Sequence, residues 1–173
     1  MPRILMITTG GTIACRETAH GLSPALDSAA LLAELPALAE VCTVKTLELM
    51  QLDSTDVTAA DRQRMARAVW ENREKFDGFV LTHGTDTLAH TAALLSHLLP
   101  DFDKPLVLTG SMLPMGADCS DAPRNLLDAF LVAADGRPGV YAVMNGVILH
   151  GQHVFKRHST DIDAFLSANA APL

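Results

Sequence analysis

The stretch Gly78-Phe79-Val80-Leu81-Thr82-His83-Gly84-Thr85-Asp86-Thr87 decides how this chain folds. Gly78 to Thr82 is a short, β-rich apolar run without polar alternation, the pattern of a strand covered on both faces. It breaks at His83-Gly84 and restarts as an amphipathic segment. From Asp86 to Leu99, the residues Leu88, Ala92, Leu95 and Leu99 recur at helical spacing, and Pro100 ends the run. A buried strand that feeds a helix is one unit of a parallel α/β sheet.

The unit repeats on either side. Arg3 to Thr9, Val44 to Met50, Pro105 to Thr109 and Val140 to Met144 predict four more strands. Thr58 to Arg73 predicts a helix, with Thr58 and Asp61 in its first turn and Met65, Ala68, Val69 and Trp70 near one face. Pro123 to Ala134 predicts another, carrying Leu126, Leu127, Phe130 and Leu131 and stopping near Gly136. The expected fold is therefore α/β: a mostly parallel sheet with helices on both faces, in a flavodoxin-like arrangement. Asn145-Gly146 is a two-residue hairpin signal, so Val147 to Lys156 should add a C-terminal antiparallel hairpin. Residues 1–166 read as a single domain, and Ser167 to Leu173, small residues with a proline, as a short tail.

Composition excludes several function classes. Nearly half of the 173 residues are hydrophobic and 19% are charged, so the chain has the means to form a core. The net charge is −7 and Lys156-Arg157-His158 stands alone as a basic cluster, which argues against a nucleic-acid partner. No apolar run reaches the length of a signal-peptide core or a membrane span, so the expectation is a cytoplasmic protein with no membrane partner. Cys15, Cys42 and Cys119 are odd in number and lack Cys-x-x-Cys spacing, as expected of reduced thiols. His150, His153 and His158, or His83 with His90, fit no standard metal spacing, and no metal or cofactor is expected.

Ligands of an open parallel sheet bind beyond the carboxyl ends of its strands. Four polar loops share that edge: Thr9-Gly10-Gly11-Thr12-Ile13-Ala14, Asp53-Ser54-Thr55-Asp56, His83-Gly84-Thr85-Asp86-Thr87 and Gly110-Ser111-Met112-Leu113-Pro114. None ends in Gly-Lys-Ser/Thr or contains Gly-x-Gly-x-x-Gly, so neither nucleotide fingerprint is met. The glycines of the first loop let Thr12 present its hydroxyl and nearby N–H groups to a ligand. Alone, Gly-Gly-Thr reads as a turn, Asp86 as a helix cap, and Cys15 as a small packed side chain rather than a nucleophile. Two threonine-bearing loops on one rim with a carboxylate between them are harder to explain by capping. A threonine hydroxyl becomes a nucleophile only when a base within reach takes its proton.

Taken together, Thr9-Gly10-Gly11-Thr12-Ile13-Ala14, His83-Gly84-Thr85-Asp86-Thr87 and Lys104-Pro105-Leu106-Val107-Leu108-Thr109-Gly110 resemble the bacterial-type asparaginases and asparaginase/glutaminases. Asp121 to Ala134, Met144-Asn145-Gly146 and Gly151-Gln152-His153-Val154-Phe155-Lys156 continue the likeness in the same order, over nearly the whole chain. The resemblance implies hydrolysis of L-asparagine to L-aspartate and ammonia through a threonine acyl-enzyme, with weaker glutaminase activity. It implies Thr12 as nucleophile, Thr85 as partner hydroxyl, Lys156 as proton acceptor, and Asp86 as the carboxylate that completes the relay and grips the substrate α-amino group. Gly11, Asp53, Ser54, Gly84, Thr85, Asp86 and Ser111 are the implied substrate-binding set. Ser54 stands where the family binds the α-carboxylate, and N–H groups around Gly11 and Thr85 stand as oxyanion donors. A solvated lysine is protonated at neutral pH, so Lys156 as a base requires a free amine or a relayed proton. The family's assembly implies a homodimer or homotetramer.

The chain departs from the family in two places. Members usually carry a tyrosine on the loop after the first motif, but Arg16 to Leu22 has none, and the only tyrosine, Tyr141, lies in a predicted buried strand. Glu17, Thr18 or His20 could substitute, and His20 is the natural choice because it titrates near working pH. Typical members also add a smaller C-terminal domain, which this sequence is expected to lack, as the family's short-chain members do. Either a homo-oligomer then supplies the missing wall from other surfaces, or the pocket is more open and the affinity modest. Two other readings stay open: a non-catalytic amino-acid-binding module that keeps Ser54 and Asp86, and an ammonia-producing subunit of an amidotransferase.

Overall fold

The computed structural model describes residues 1–15 and 26–173, together with the backbone of 16–18 and 21–24. Its centre is a six-stranded sheet built from β1 (Arg3–Gly10), β4 (Thr43–Leu52), β5 (Gly78–Thr82), β6 (Pro105–Thr109), β7 (Gly139–Met144) and β8 (Val147–His150), in the order β4-β1-β5-β6-β7-β8. The first five are parallel and β8 is antiparallel to β7. This is the expected doubly wound order with an antiparallel edge. The Asn145-Gly146 turn has φ of 49° and 75°, the two positive values a tight hairpin turn requires.

The central strands read as continuous apolar runs because both faces are covered. Along β1, Leu5 and Ile7 point into one core with Phe79 and Leu81 of β5, and Ile4 and Met6 point into the other with Val80. The first core is closed by α3 (Ala59–Asn72), through Met65 and Val69, and by α4 (Thr85–Leu98), through Leu88, Ala92 and Leu95. The second is closed by α5 (Ala122–Asp135), through Leu126 and Phe130, and by Leu31 and Leu38 of the short helices α1 (Ser28–Ala33) and α2 (Leu38–Val41). Full burial of side chains this size is worth about 1.5–3 kcal/mol each, so the two cores fix the sheet and with it the carboxyl edge. At α3, Thr58 and Asp61 form the reciprocal cap that the sequence suggests.

Five elements were not legible, the short helices α1 and α2 among them. Two short strands, β2 (Cys15–Thr18) and β3 (Gly21–Pro24), pair antiparallel after the first loop. The run from Val147 to Lys156 divides: β8 joins the main sheet, but β9 (Val154–Lys156) pairs with β10 (Phe165–Ser167), with Lys156 opposite Phe165. Beyond β10 the Ala168 N–H donates to the His153 carbonyl and the Leu173 N–H to the Ile148 carbonyl, so the last residues lie against the domain. No helix among the described residues is long and apolar enough to cross a membrane.

Candidate active site

β1 sits between β4 and β5, and the chain leaves it first toward β4 and later returns to β5. The loops after β1 and β5 therefore diverge at a switch point, where open α/β sheets place their ligands. A cavity of about 220 Å³ opens there, lined by Gly10, Gly11, Thr12, Ala14, Cys15, Gln51, Leu52, Asp53, Ser54, Gly84, Thr85 and Asp86. Larger cavities elsewhere do not bring these loops together.

Close backbone approach shapes the cavity. Gly11 has φ of +87°, and a Cβ there would lie 2.5 Å from the Gly84 nitrogen. A Cβ on Gly84 would lie 2.7 Å from both Cβ and Oγ of Ser54. Three of the four expected loops thus touch one another through positions that only glycine fits. Their polar groups lock them further: Thr87 Oγ1 donates to the Ser54 carbonyl at 2.7 Å, and Thr9 Oγ1 to the Thr82 carbonyl at 2.7 Å.

Residues far apart in the sequence meet beside the cavity. Thr85 and Asp86 open α4, and Lys156 arrives on β9, which packs beside that helix. Lys156 Nζ lies 2.9 Å from Thr85 Oγ1 and 2.6 Å from Asp86 Oδ1. The Lys156 side chain is 12% exposed against 57% for Asp86, so the amine faces inward while the carboxylate opens to solvent. Thr85 is buried, so the amine meets a hydroxyl from which most bulk water is excluded.

The other expected residues divide into two groups. Ser54 is buried on the cavity wall. Asp53 also lines it, but Oδ1 accepts from the Thr55 N–H at 2.8 Å and Thr55 Oγ1 at 2.7 Å, which hold its carboxyl below the usual carboxylate range. Ser111 is buried, lies outside the cavity lining, and its hydroxyl has no hydrogen-bond partner among the described residues. His20 lies outside the described residues. Tyr141 is buried on β7 with its hydroxyl donating to the Pro138 carbonyl at 2.8 Å, so it belongs to the scaffold. Burial, and then the Asp53 charge, push the Cys15 thiol up, and its Sγ donates to the Gly11 carbonyl at 3.4 Å. Gln51 and Leu52, at the end of β4, were missed; their place just before Asp53-Ser54 was the available signal. Among the described residues no cluster of three or more acidic, cysteine or histidine side chains could hold a metal ion.

Comparison with known proteins extends the picture. A family profile described as "Asparaginase, N-terminal" matches residues 3–173. The L-asparaginase of Thermococcus kodakarensis is 41% identical over 96% of this chain and 51% of its own length. One of the glutamyl-tRNA(Gln) amidotransferase subunits of Methanococcus vannielii is 33% identical, over 100% of this chain and 43% of its own. The solved structure of the thermostable T. kodakarensis enzyme superposes with a TM-score of 0.89 at 39% identity, covering 98% of this chain and 52% of that one. The chain thus spans about half the length of the curated relatives it matches.

Proposed function

Because this chain belongs to the asparaginase family, we propose that it hydrolyses the side-chain amide of L-asparagine to L-aspartate and ammonia, and that of L-glutamine more weakly. The observation that carries the reading is the contact of Lys156 with both Thr85 and Asp86, two residues that line the same cavity as Thr12.

In this reading Thr12 Oγ attacks the amide carbon as its proton passes to a base. Backbone N–H groups at Gly11 and Thr85 receive the oxyanion, the contribution that commonly dominates acyl transfer. The C–N bond breaks as the nitrogen takes a proton, ammonia leaves, and the acyl group remains as an ester on Thr12. The second half repeats the steps with water: Thr85 and Lys156 take its proton, the ester opens, and aspartate leaves as Thr12 regains its hydrogen. Lys156 is the acceptor of the relay, and Asp86, in contact with its Nζ, completes it. Ser54 and Asp86 take the substrate α-carboxylate and α-amino group, with Gly11, Asp53 and Gly84 lining the cavity around them. The functional assembly is a homodimer or homotetramer in the cytoplasm; light scattering of the purified protein tests that state.

The test is ammonia release from L-asparagine and L-glutamine by purified protein. Turnover of asparagine with the higher kcat/KM supports the proposal. Saturable amino-acid binding without ammonia would support a binding module, a reading that leaves the Lys156 contact with Thr85 without a purpose. The likeness to an amidotransferase component favours a second reading, in which the ammonia is passed to a partner chain; co-purification of a second protein that raises turnover would favour it.

A further inference from the structure

Beneath the cavity floor runs a chain of hydrogen bonds whose direction is fixed by its ends. Arg62 Nε lies 2.9 Å from Thr91 Oγ1, Thr91 Oγ1 lies 2.9 Å from His83 Nε2, and His83 Nδ1 lies 2.7 Å from the Gly84 carbonyl oxygen. Arginine has only hydrogens to give and a carbonyl has only lone pairs. The Thr91 hydroxyl therefore accepts from Arg62 and donates to Nε2, which leaves the imidazole proton on Nδ1, donated to Gly84.

We propose that His83 is a positioning residue, held by Arg62 and Thr91 as the Nδ1–H tautomer so that it fixes the Gly84–Thr85 peptide plane and aims the Thr85 N–H into the cavity. The proposal rests on the hydrolytic reading above for what that N–H does. The peptide is trans and planar, so its C=O and N–H point in opposite directions. With the carbonyl bound on the His83 side, the N–H faces away from that ring, and both Gly84 and Thr85 line the cavity. As the first residue of α4, Thr85 also has no acceptor for its N–H inside the helix. A donor held in advance where negative charge develops is the kind that speeds acyl transfer.

Two observations explain why a histidine does this. His83 is fully buried, so no solvent molecule substitutes for either ring contact. Burial lowers its pKa to about 4, which keeps the ring neutral and leaves Nε2 the lone pair that Thr91 needs. Arg62 also donates through Nη1 to the Val57 carbonyl at 3.0 Å, just beyond the Ser54 turn. One residue of α3 thus ties the loop carrying Ser54 to the loop carrying Thr85.

Nitrogen-15 NMR of the full chain with labelled histidine tests the tautomer directly, the His83 signals being assigned by their loss in His83→Gln. Protonated Nδ1 and bare Nε2 at neutral pH are expected; a proton on Nε2 would overturn the proposal, whether or not the protein is active. Kinetics test the consequence. His83→Asn keeps a donor near the Nδ1 position, whereas His83→Gln places its amide near Nε2. Loss of kcat on the order of 10–100-fold in His83→Gln, with KM little changed and most of the rate restored in His83→Asn, is expected. Wild-type kcat in His83→Gln, or equal losses in both, would contradict it. Should both variants misfold, Thr91→Val retains the ring but removes the hydroxyl that donates to Nε2; mixed tautomers with a reduced kcat are expected, and a pure Nδ1–H ring with wild-type kcat would contradict the proposal. A wild-type protein inactive on both amides would sink the hydrolytic reading, while the tautomer still decides whether His83 is held as described.

Discussion

Lys156 Nζ and Thr85 Oγ1, 71 positions apart in sequence, lie 2.9 Å from one another at the mouth of a parallel sheet. Their meeting depends on two independent pieces of folding. One is the strand-to-helix turn at His83-Gly84, which sets Thr85 at the first residue of α4. The other is the small β9–β10 ladder, which turns Lys156 back over that helix.

Removing the amine tests the pair. In Lys156→Met the apolar stem is largely kept and the proton acceptor is lost, so kcat should fall by roughly 10²–10⁴-fold with little change in KM. Thr85→Val should give a loss of similar size, and the double variant little more than either, because the two groups act as a unit. Steady-state ammonia release checks all three; additive losses would mean that lysine and threonine act separately.

Gly84 tests the packing of the loops. A Cβ there meets Ser54, so Gly84→Ala should push the Ser54 turn outward and raise KM by about tenfold, more than it lowers thermal stability. Gly11→Ala is the harsher change. Its positive φ and the approach to the Gly84 nitrogen together should cost about 1–3 kcal/mol by denaturant unfolding.

Stability should fall in mild acid, and His83 supplies a definite part of the slope. Its pKa is about 4 in the folded chain, lowered first by burial and slightly by Arg62, against an ordinary 6.5 when unfolded. Between these values the unfolded chain binds the extra proton. The contribution is thus fully present above about pH 6.5 and is lost as pH falls toward 4, amounting to about 3 kcal/mol. Asp53 and Asp77, whose carboxyls are held low by hydrogen bonds to Thr55 and Arg3, add losses only at lower pH. Urea unfolding at a series of pH values should give a shallower curve between pH 4 and 6.5 in His83→Gln than in the wild type; parallel curves would contradict this.

What could be read from the sequence was what local chemistry determines. The strands Gly78–Thr82 and Pro105–Thr109 were legible to the residue because a doubly covered strand must be apolar throughout and its ends are marked by polar loops. The turn at Asn145-Gly146 was legible because few dipeptides tolerate two positive φ values. The partner of β9 was not: Phe165 to Ser167 is too short for periodicity, and its pairing is a tertiary choice. Of the site, Thr12, Ser54, Thr85 and Asp86 stood out as polar residues on the carboxyl edge, whereas Lys156 on spacing alone looks like any exposed lysine, and only the family resemblance singled it out. Ser111 shows the limit of the edge rule, since a residue in the right loop is buried away from the cavity. The Arg62–Thr91–His83 chain was invisible, because it joins one residue of α3 to a position two turns into α4.

In the proposed reaction Thr12 carries the acyl group while Thr85, Lys156 and Asp86 move the proton. A single-turnover reaction with L-asparagine, quenched in acid and mapped by peptide mass spectrometry, checks this assignment. An aspartyl ester on the peptide containing Thr12, absent in Thr12→Ala and slower to form in Lys156→Met, is expected. An ester on Thr85, or ammonia released at the wild-type rate by Thr12→Ala, would contradict it.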